Sequence, residues 1–133
     1  MSELFSPEWM GAYKDAWNGE PKLTEPLAEI GFSTAIGYGL LDEDKPRGVL
    51  LVENGNATFG GVYDNQDMNW DIRGGPDLWD QWMKNPPNLT QIGMAYTMRR
   101  LQFKQGDYGA MLKEPRMTGP FIKSFETMSQ VQA

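Results

Sequence analysis

The chain has no cysteine and no histidine among its 133 residues. The first absence removes disulfide frameworks, thiolate nucleophiles and sulfur-ligated zinc or iron–sulfur sites. The second removes the commonest general base, the Ser-His-Asp and Cys-His arrangements, and the commonest transition-metal ligand. No cofactor or metal is expected. No run approaches the ~18 consecutive apolar residues of a transmembrane helix. Met1 to Trp9 lacks the basic region and apolar run of a signal peptide, so the expectation is a cytoplasmic protein without a transmembrane segment. Asn56-Ala57-Thr58 and Asn88-Leu89-Thr90 match the N-glycosylation pattern, but without a secretory signal both read as chance. The net charge of −6 opposes a role on phosphate backbones. The one clustered basic stretch, Arg99-Arg100-Leu101-Gln102-Phe103-Lys104, reads as the polar face of a strand. A nucleic-acid partner is not expected.

What is present suits one domain over 1–133, large enough to bury a core without metal or disulfide. Ser6 is a helix N-cap, Pro7 the first helical residue, and Trp9, Tyr13, Ala16 and Trp17 share one face, so a helix is predicted over 6–18. A short second helix is predicted from Thr24 to Ile30, with Pro26 in its first turn. Alternation from Phe32 to Leu41 gives a strand with one bulky face (Phe32, Thr34, Ile36, Tyr38, Leu40) and one nearly bare (Ser33, Ala35, Gly37, Gly39). The bare face fits either a helix packed closely over the glycines or room left for a ligand. A charged turn, Asp42 to Pro46, leads to a strand over Gly48 to Glu53. Asn54-Gly55 is a two-residue hairpin signal. The next strand covers Ala57 to Tyr63, where Gly60-Gly61 marks a bulge or close approach. These three strands form an antiparallel meander. Met68, Trp70 and Ile72 then alternate with Asp67, Asn69, Asp71 and Arg73 as a fourth strand, its polar face in solvent.

Pro76 opens a helix with the stripe Leu78, Trp79, Trp82 and Met83, broken at Asn85-Pro86-Pro87. Leu89 to Met98 is a loosely helical crossover, and Leu101 and Phe103 belong to a last strand closed by Gly106. Asp107 caps a helix carrying Tyr108, Met111 and Leu112, which Pro115 interrupts. Thr118 recaps, and Pro120 starts a final helix with Phe121, Ile122, Phe125 and Met128 on one face. Ser129 to Ala133 should fray. The fold class is α+β: about five strands, mainly antiparallel, with helices packed on the sheet.

Signals for catalysis are weak. The carboxylates near Asp64, Asp67 and Asp71 fail the EF-hand pattern, because Asn69 stands where glycine is required and Gly75 where glutamate is required. The glycines around Gly37, Gly60 and Gly74 complete no nucleotide-binding fingerprint. An enzyme built on Asp71, Tyr96, Asp107 and Tyr108 is the least favoured reading, and the chain is read as non-catalytic. More telling is the kind of apolar residue. Met83, Met94, Met98, Met111, Met117 and Met128 crowd the C-terminal half beside Trp79, Trp82, Tyr96, Phe103, Tyr108, Phe121 and Phe125. Flexible, polarizable methionine is over-used at tolerant binding surfaces, although any single one fills a core equally well.

Three segments carry a family resemblance: Gly48-Val49-Leu50-Leu51-Val52-Glu53-Asn54-Gly55, Met68-Asn69-Trp70-Asp71-Ile72, and Leu101-Gln102-Phe103-Lys104-Gln105-Gly106-Asp107 running into Met111-Leu112. With the order of elements, these resemble the sterol carrier protein (sterol-binding, lipid-transfer) domain over about residues 30–128. The resemblance implies a cavity between sheet and helices that binds or transfers a sterol, fatty acid or acyl-CoA. Trp79, Trp82, Met83, Met94, Met98, Phe103, Met111, Met117, Phe121 and Phe125 are the expected lining or gating residues. Arg73, Arg99 and Arg100 are candidates for an anionic head group, with surface solvation as the plainer role. A partner enzyme of lipid metabolism, docked by an accessory module with a collapsed cavity, is the alternative.

Overall fold

The computed structural model describes residues 3–131. Helix α1 (Pro7–Asn18) starts where the sequence places it: the Ser6 hydroxyl accepts from the Trp9 amide at 3.2 Å, and Pro7 is the first helical residue. Its buried stripe is Trp9, Met10, Tyr13 and Trp17. Each such side chain contributes about 1.5–3 kcal/mol on leaving water. Helix α2 (Pro21–Glu29) begins earlier than predicted, because the Glu20 carboxylate accepts from the Lys22 amide and Pro21 takes the first position. Pro26 consequently lies in the helix interior rather than in its first turn.

Strands β1 (Thr34–Leu40), β2 (Gly48–Glu53) and β3 (Asn56–Val62) form the expected antiparallel meander. Asn54 and Gly55 have φ of 48° and 85°, as a tight Asn-Gly hairpin requires. β4 (Trp70–Gly74) then crosses back to lie parallel to β1, and β5 (Leu101–Gln105) pairs antiparallel to β4. The order β3-β2-β1-β4-β5 gives a mixed, mostly antiparallel five-stranded sheet. The bulge in the β2–β3 pair falls between Leu51 and Val52 against Phe59 and Ala57, not at Gly60-Gly61. Gly60 instead marks close approach: a Cβ there would collide with the Met10 main chain.

Helices α3 (Pro76–Lys84), α4 (Leu89–Thr97), α5 (Tyr108–Leu112) and α6 (Pro115–Ser129) complete the molecule. α4 is more regular than a loose crossover, because Asn88 and Gln91 form a reciprocal capping box. Pro115 begins α6 instead of interrupting a helix, and Pro120 lies inside it. Ser129 ends α6, and Gln130 and Val131 still return amides to Thr127 and Met128. The predicted frayed end at 132–133 lies outside the described residues.

The bulky sheet face, with Ile36, Tyr38, Leu50, Val52 and Ile72, joins Trp9, Tyr13, Trp17, Trp79 and Phe125 in the core. The bare face of β1 meets neither a helix nor a cavity. Positions for a Cβ on Gly37 and Gly39 are taken by Pro46, Met68 and Arg73, with Pro46 Cα only 2.9 Å from the Gly39 position. The polar face of β4 is corrected likewise: Asp71 and Arg73 are buried and paired with each other, whereas Asp67 is exposed.

Candidate apolar ligand site

A hollow of about 50 Å³ lies between the bulky sheet face and the helices. Phe32, Ile36, Tyr38, Trp70 and Ile72 form its floor. Trp17 of α1, Leu27 of α2, Met111 of α5 and Met117, Pro120, Phe121 and Ser124 of α6 form its roof. The sequence produces this directly. Alternation puts Ile36 and Tyr38 on the same face of β1, register brings Trp70 and Ile72 opposite them, and i, i+4, i+7 spacing aligns Met117, Phe121 and Ser124 on α6.

The lining carries hydroxyls but no charged group. The Tyr38 hydroxyl lies 3.1 Å from that of Tyr13, which reaches in from α1. Burial pushes the ionisation of both well above the ordinary tyrosine value, and their proximity adds to this for Tyr13. Both remain protonated across the physiological range. The Ser124 hydroxyl donates to the Phe121 carbonyl at 2.6 Å, and Trp17 Nε1 donates to the Gly55 carbonyl at 3.0 Å. Such a site can hold apolar matter with a hydroxyl or carbonyl at one point. It offers no counter-ion to a carboxylate.

Of the residues expected to line a pocket, Met111, Met117 and Phe121 do so. Phe103 packs beside them, its ring centroid 6.1 Å from that of Phe121 and 5.9 Å from that of Trp70. Trp79, Trp82 and Phe125 form a buried aromatic wall next to the hollow, with Phe125 5.1 Å from Phe121. Met83 is half-buried on α3, while Met94 and Met98 are exposed at α4 and do not line this hollow. Arg73 is bound beneath the opposite sheet face, and Arg99 and Arg100 are exposed. Sequence reasoning missed Trp17, Leu27, Phe32, Ile36, Tyr38, Trp70, Ile72, Pro120 and Ser124. The bulky face of β1 and the apolar positions of β4 signal the floor, whereas methionine content marks lining and outer surface alike.

The carboxylate–tyrosine set does not converge on the hollow. Asp71 is held by Arg73, Asp107 caps α5 through the Ala110 amide at 2.9 Å, and Tyr96 and Tyr108 stack at 4.4 Å outside the lining. Among the described residues no group of three or more Asp or Glu side chains could hold a metal ion, and no helix is long and apolar enough to cross a membrane.

No family model and no curated protein matches this sequence. Solved structures do match. The crystal structure of sterol carrier protein 2 superposes with a TM-score of 0.77 over 98% of this chain and 100% of that one, at 15% identity. The chain has the sterol carrier protein 2 fold. A conserved hypothetical protein from Thermus thermophilus, described as possibly a sterol carrier protein, superposes with a TM-score of 0.64, covering 97% of this chain and 87% of its own at 16% identity. A ubiquinone synthesis protein, UbiJ-SCP2, also shares the fold, with a TM-score of 0.59, coverage of 93% and 90%, and 9% identity. In this instance of the sterol carrier protein 2 fold, the hollow lies between the β1–β4 pair and α6.

Proposed function

We propose that this chain is a non-catalytic binder of an apolar, lipid-like molecule, taken up between the sheet and α6. One observation carries the reading: the hollow there is lined by apolar side chains and hydroxyls, with no charged group. At about 50 Å³ it is far below the roughly 300–1,000 Å³ of occupied ligand pockets, so the roof moves when ligand enters. The roof is suited to that. Pro120 lacks the amide that would bond the preceding helical turn, Gly119 precedes it, and Met111 and Met117 are unbranched and adaptable. Burial supplies the affinity, at about 25 cal/mol per Å² of apolar area removed from water. The buried part of the ligand is uncharged, as a sterol or an acyl chain is, and the carboxylate of a fatty acid or the nucleotide of an acyl-CoA stays at the mouth.

The test is a titration of the delipidated protein with a fluorescent fatty-acid probe, competed by sterols, fatty acids and acyl-CoAs. Saturable one-to-one binding, displaced by one class and weakened at least tenfold by Ser124→Leu or Phe121→Asp, supports the reading. Binding that neither substitution alters in a folded protein places the ligand elsewhere. The small volume also favours a second reading, an accessory module with a closed core that docks an enzyme of lipid metabolism. In that case no probe saturates the protein, and it forms a stable complex with the enzyme.

A further inference from the structure

Tyr108 is 5% exposed, and its hydroxyl is fully enclosed without a hydrogen-bond partner. Among the described residues it is the one buried side-chain polar atom in that state. Buried hydroxyls are almost always paired, because an unpaired one loses its contact with water and gains nothing in return. The surroundings explain the isolation. The ring packs against Tyr96, Phe103 and Phe121, with centroids 4.4, 5.1 and 6.2 Å away. The hydroxyl faces Gly93 of α4, which brings no side chain to meet it, and a Cβ there would stand 3.9 Å from the oxygen. Packing therefore has room for a side chain at 93, yet the helix interior carries the residue that weakens it.

Tyr108 lies one side chain away from the hollow. Met111, on the next turn of α5, and Phe121 of α6 both line that space. Phe121 touches the hollow and the Tyr108 ring alike. It follows Pro120, where α6 lacks an internal amide bond, so it belongs to the part of the roof that yields to a ligand.

The hydroxyl sets the chemistry of what reaches it. Burial, and after it the neighbouring Tyr96, raise its ionisation above the ordinary tyrosine value, so it remains a proton donor. A ligand hydroxyl would pair with it and still leave one O–H proton unmatched. A carboxylate would be stripped of water beside uncharged rings. A neutral carbonyl accepts the proton and brings none of its own.

We propose that Tyr108 is the polar anchor of the ligand site, its hydroxyl donating to a neutral carbonyl oxygen, such as that of an ester, on an otherwise apolar ligand. This rests on the reading that the hollow binds an apolar molecule. The ligand then runs from the hollow past Phe121 and ends its polar contact at Tyr108.

Methyl palmitate and hexadecane, one with a carbonyl and one without, are competed against the fluorescent fatty-acid probe on the parent and on Tyr108→Phe. The substitution removes only the unpaired oxygen, so the melting temperature should hold or rise. Methyl palmitate should bind the variant about fivefold more weakly, whereas hexadecane should bind both alike. The infrared ester carbonyl band should move to lower frequency on binding the parent, and less on binding the variant. A variant that binds the ester as the parent does, with hexadecane still displacing the probe, overturns the anchor and leaves the apolar site standing. A lower melting temperature overturns it as well, because the hydroxyl then has a partner within the fold. If neither compound displaces the probe, the apolar site itself is wrong and the anchor falls with it.

Discussion

Asp71 and Arg73 stand two residues apart on β4, 6% and 2% exposed, and are joined by hydrogen bonds of 2.6 and 3.0 Å. The remaining guanidinium donors reach the carbonyls of Leu40 at 3.2 Å and Glu43 at 2.6 Å. The pair therefore does more than neutralise itself: it holds the 41–46 turn against the sheet face opposite the hollow. Removing one partner of a buried pair leaves an uncompensated charge, which costs about 3–5 kcal/mol. Arg73→Ala should destabilise by that amount in urea unfolding. Arg73→Lys should rescue little of it, because an ammonium cannot reproduce the fork that spans carboxylate and carbonyls. The double variant with Asp71→Ala should cost less than the two single ones summed. A cost below about 1 kcal/mol for Arg73→Ala would refute the structural role.

The same pair shows where sequence reading reaches its limit. Period-2 alternation identified both faces of β1 and those of β4 from Trp70 to Arg73, and Asn54-Gly55 the hairpin, because those signals are local. Met68, which the same alternation aligns with Trp70 and Ile72, lies before the strand and packs against Gly37 on the opposite face. Whether a face is covered depends on what crosses over it, and Pro46 and Met68 arrive there from the turn before β2 and the segment before β4, whose path no local pattern specifies. Asp71 and Arg73 hence read as a solvated face although they are buried. The site was legible in part for a similar reason. Met117 and Phe121 belong to a helical stripe that the spacing reveals, and their partners Trp17 and Leu27 come from helices whose position on the sheet no local pattern specifies. Exposed Met94 and Met98 show the converse, since methionine content alone does not separate a lining from an outer surface.

Gly60 tests the placement of α1. A Cβ at this position would run into the Met10 carbonyl and carbon, which are main-chain atoms that no rotamer change can move aside. Its neighbour Gly48 differs in degree: the nearest atoms there are Met10 Cγ and Sδ at 2.5 and 2.7 Å, part of a flexible side chain, and the one main-chain atom close by, the Phe5 carbonyl oxygen, stands farther off at 3.0 Å. Gly60→Ala should therefore push α1 off β3 at a cost of about 1–3 kcal/mol, typical of overpacking. Thermal unfolding of the two alanine variants checks the contrast. Equal losses would show that α1 is not packed as closely on β3 as the structure has it.

The Tyr13–Tyr38 pair makes stability fall at high pH, with a sign that burial determines. In the unfolded chain both hydroxyls ionise near ~10. In the folded protein desolvation is the largest cause raising both, and the neighbouring Tyr38 raises Tyr13 further. Above ~10 the unfolded state has released protons that the folded state keeps, so fewer protons are bound on unfolding and stability declines as pH rises. Below that value the pair adds no pH dependence. Urea midpoints should hold level up to about pH 9 and fall beyond it, and Tyr13→Phe with Tyr38→Phe should flatten the decline. In an ultraviolet titration, these two of the five tyrosines should ionise only as the fold is lost. If all five ionise in one step while the native circular dichroism persists, the hydroxyls are reached by solvent and the hollow is open to water.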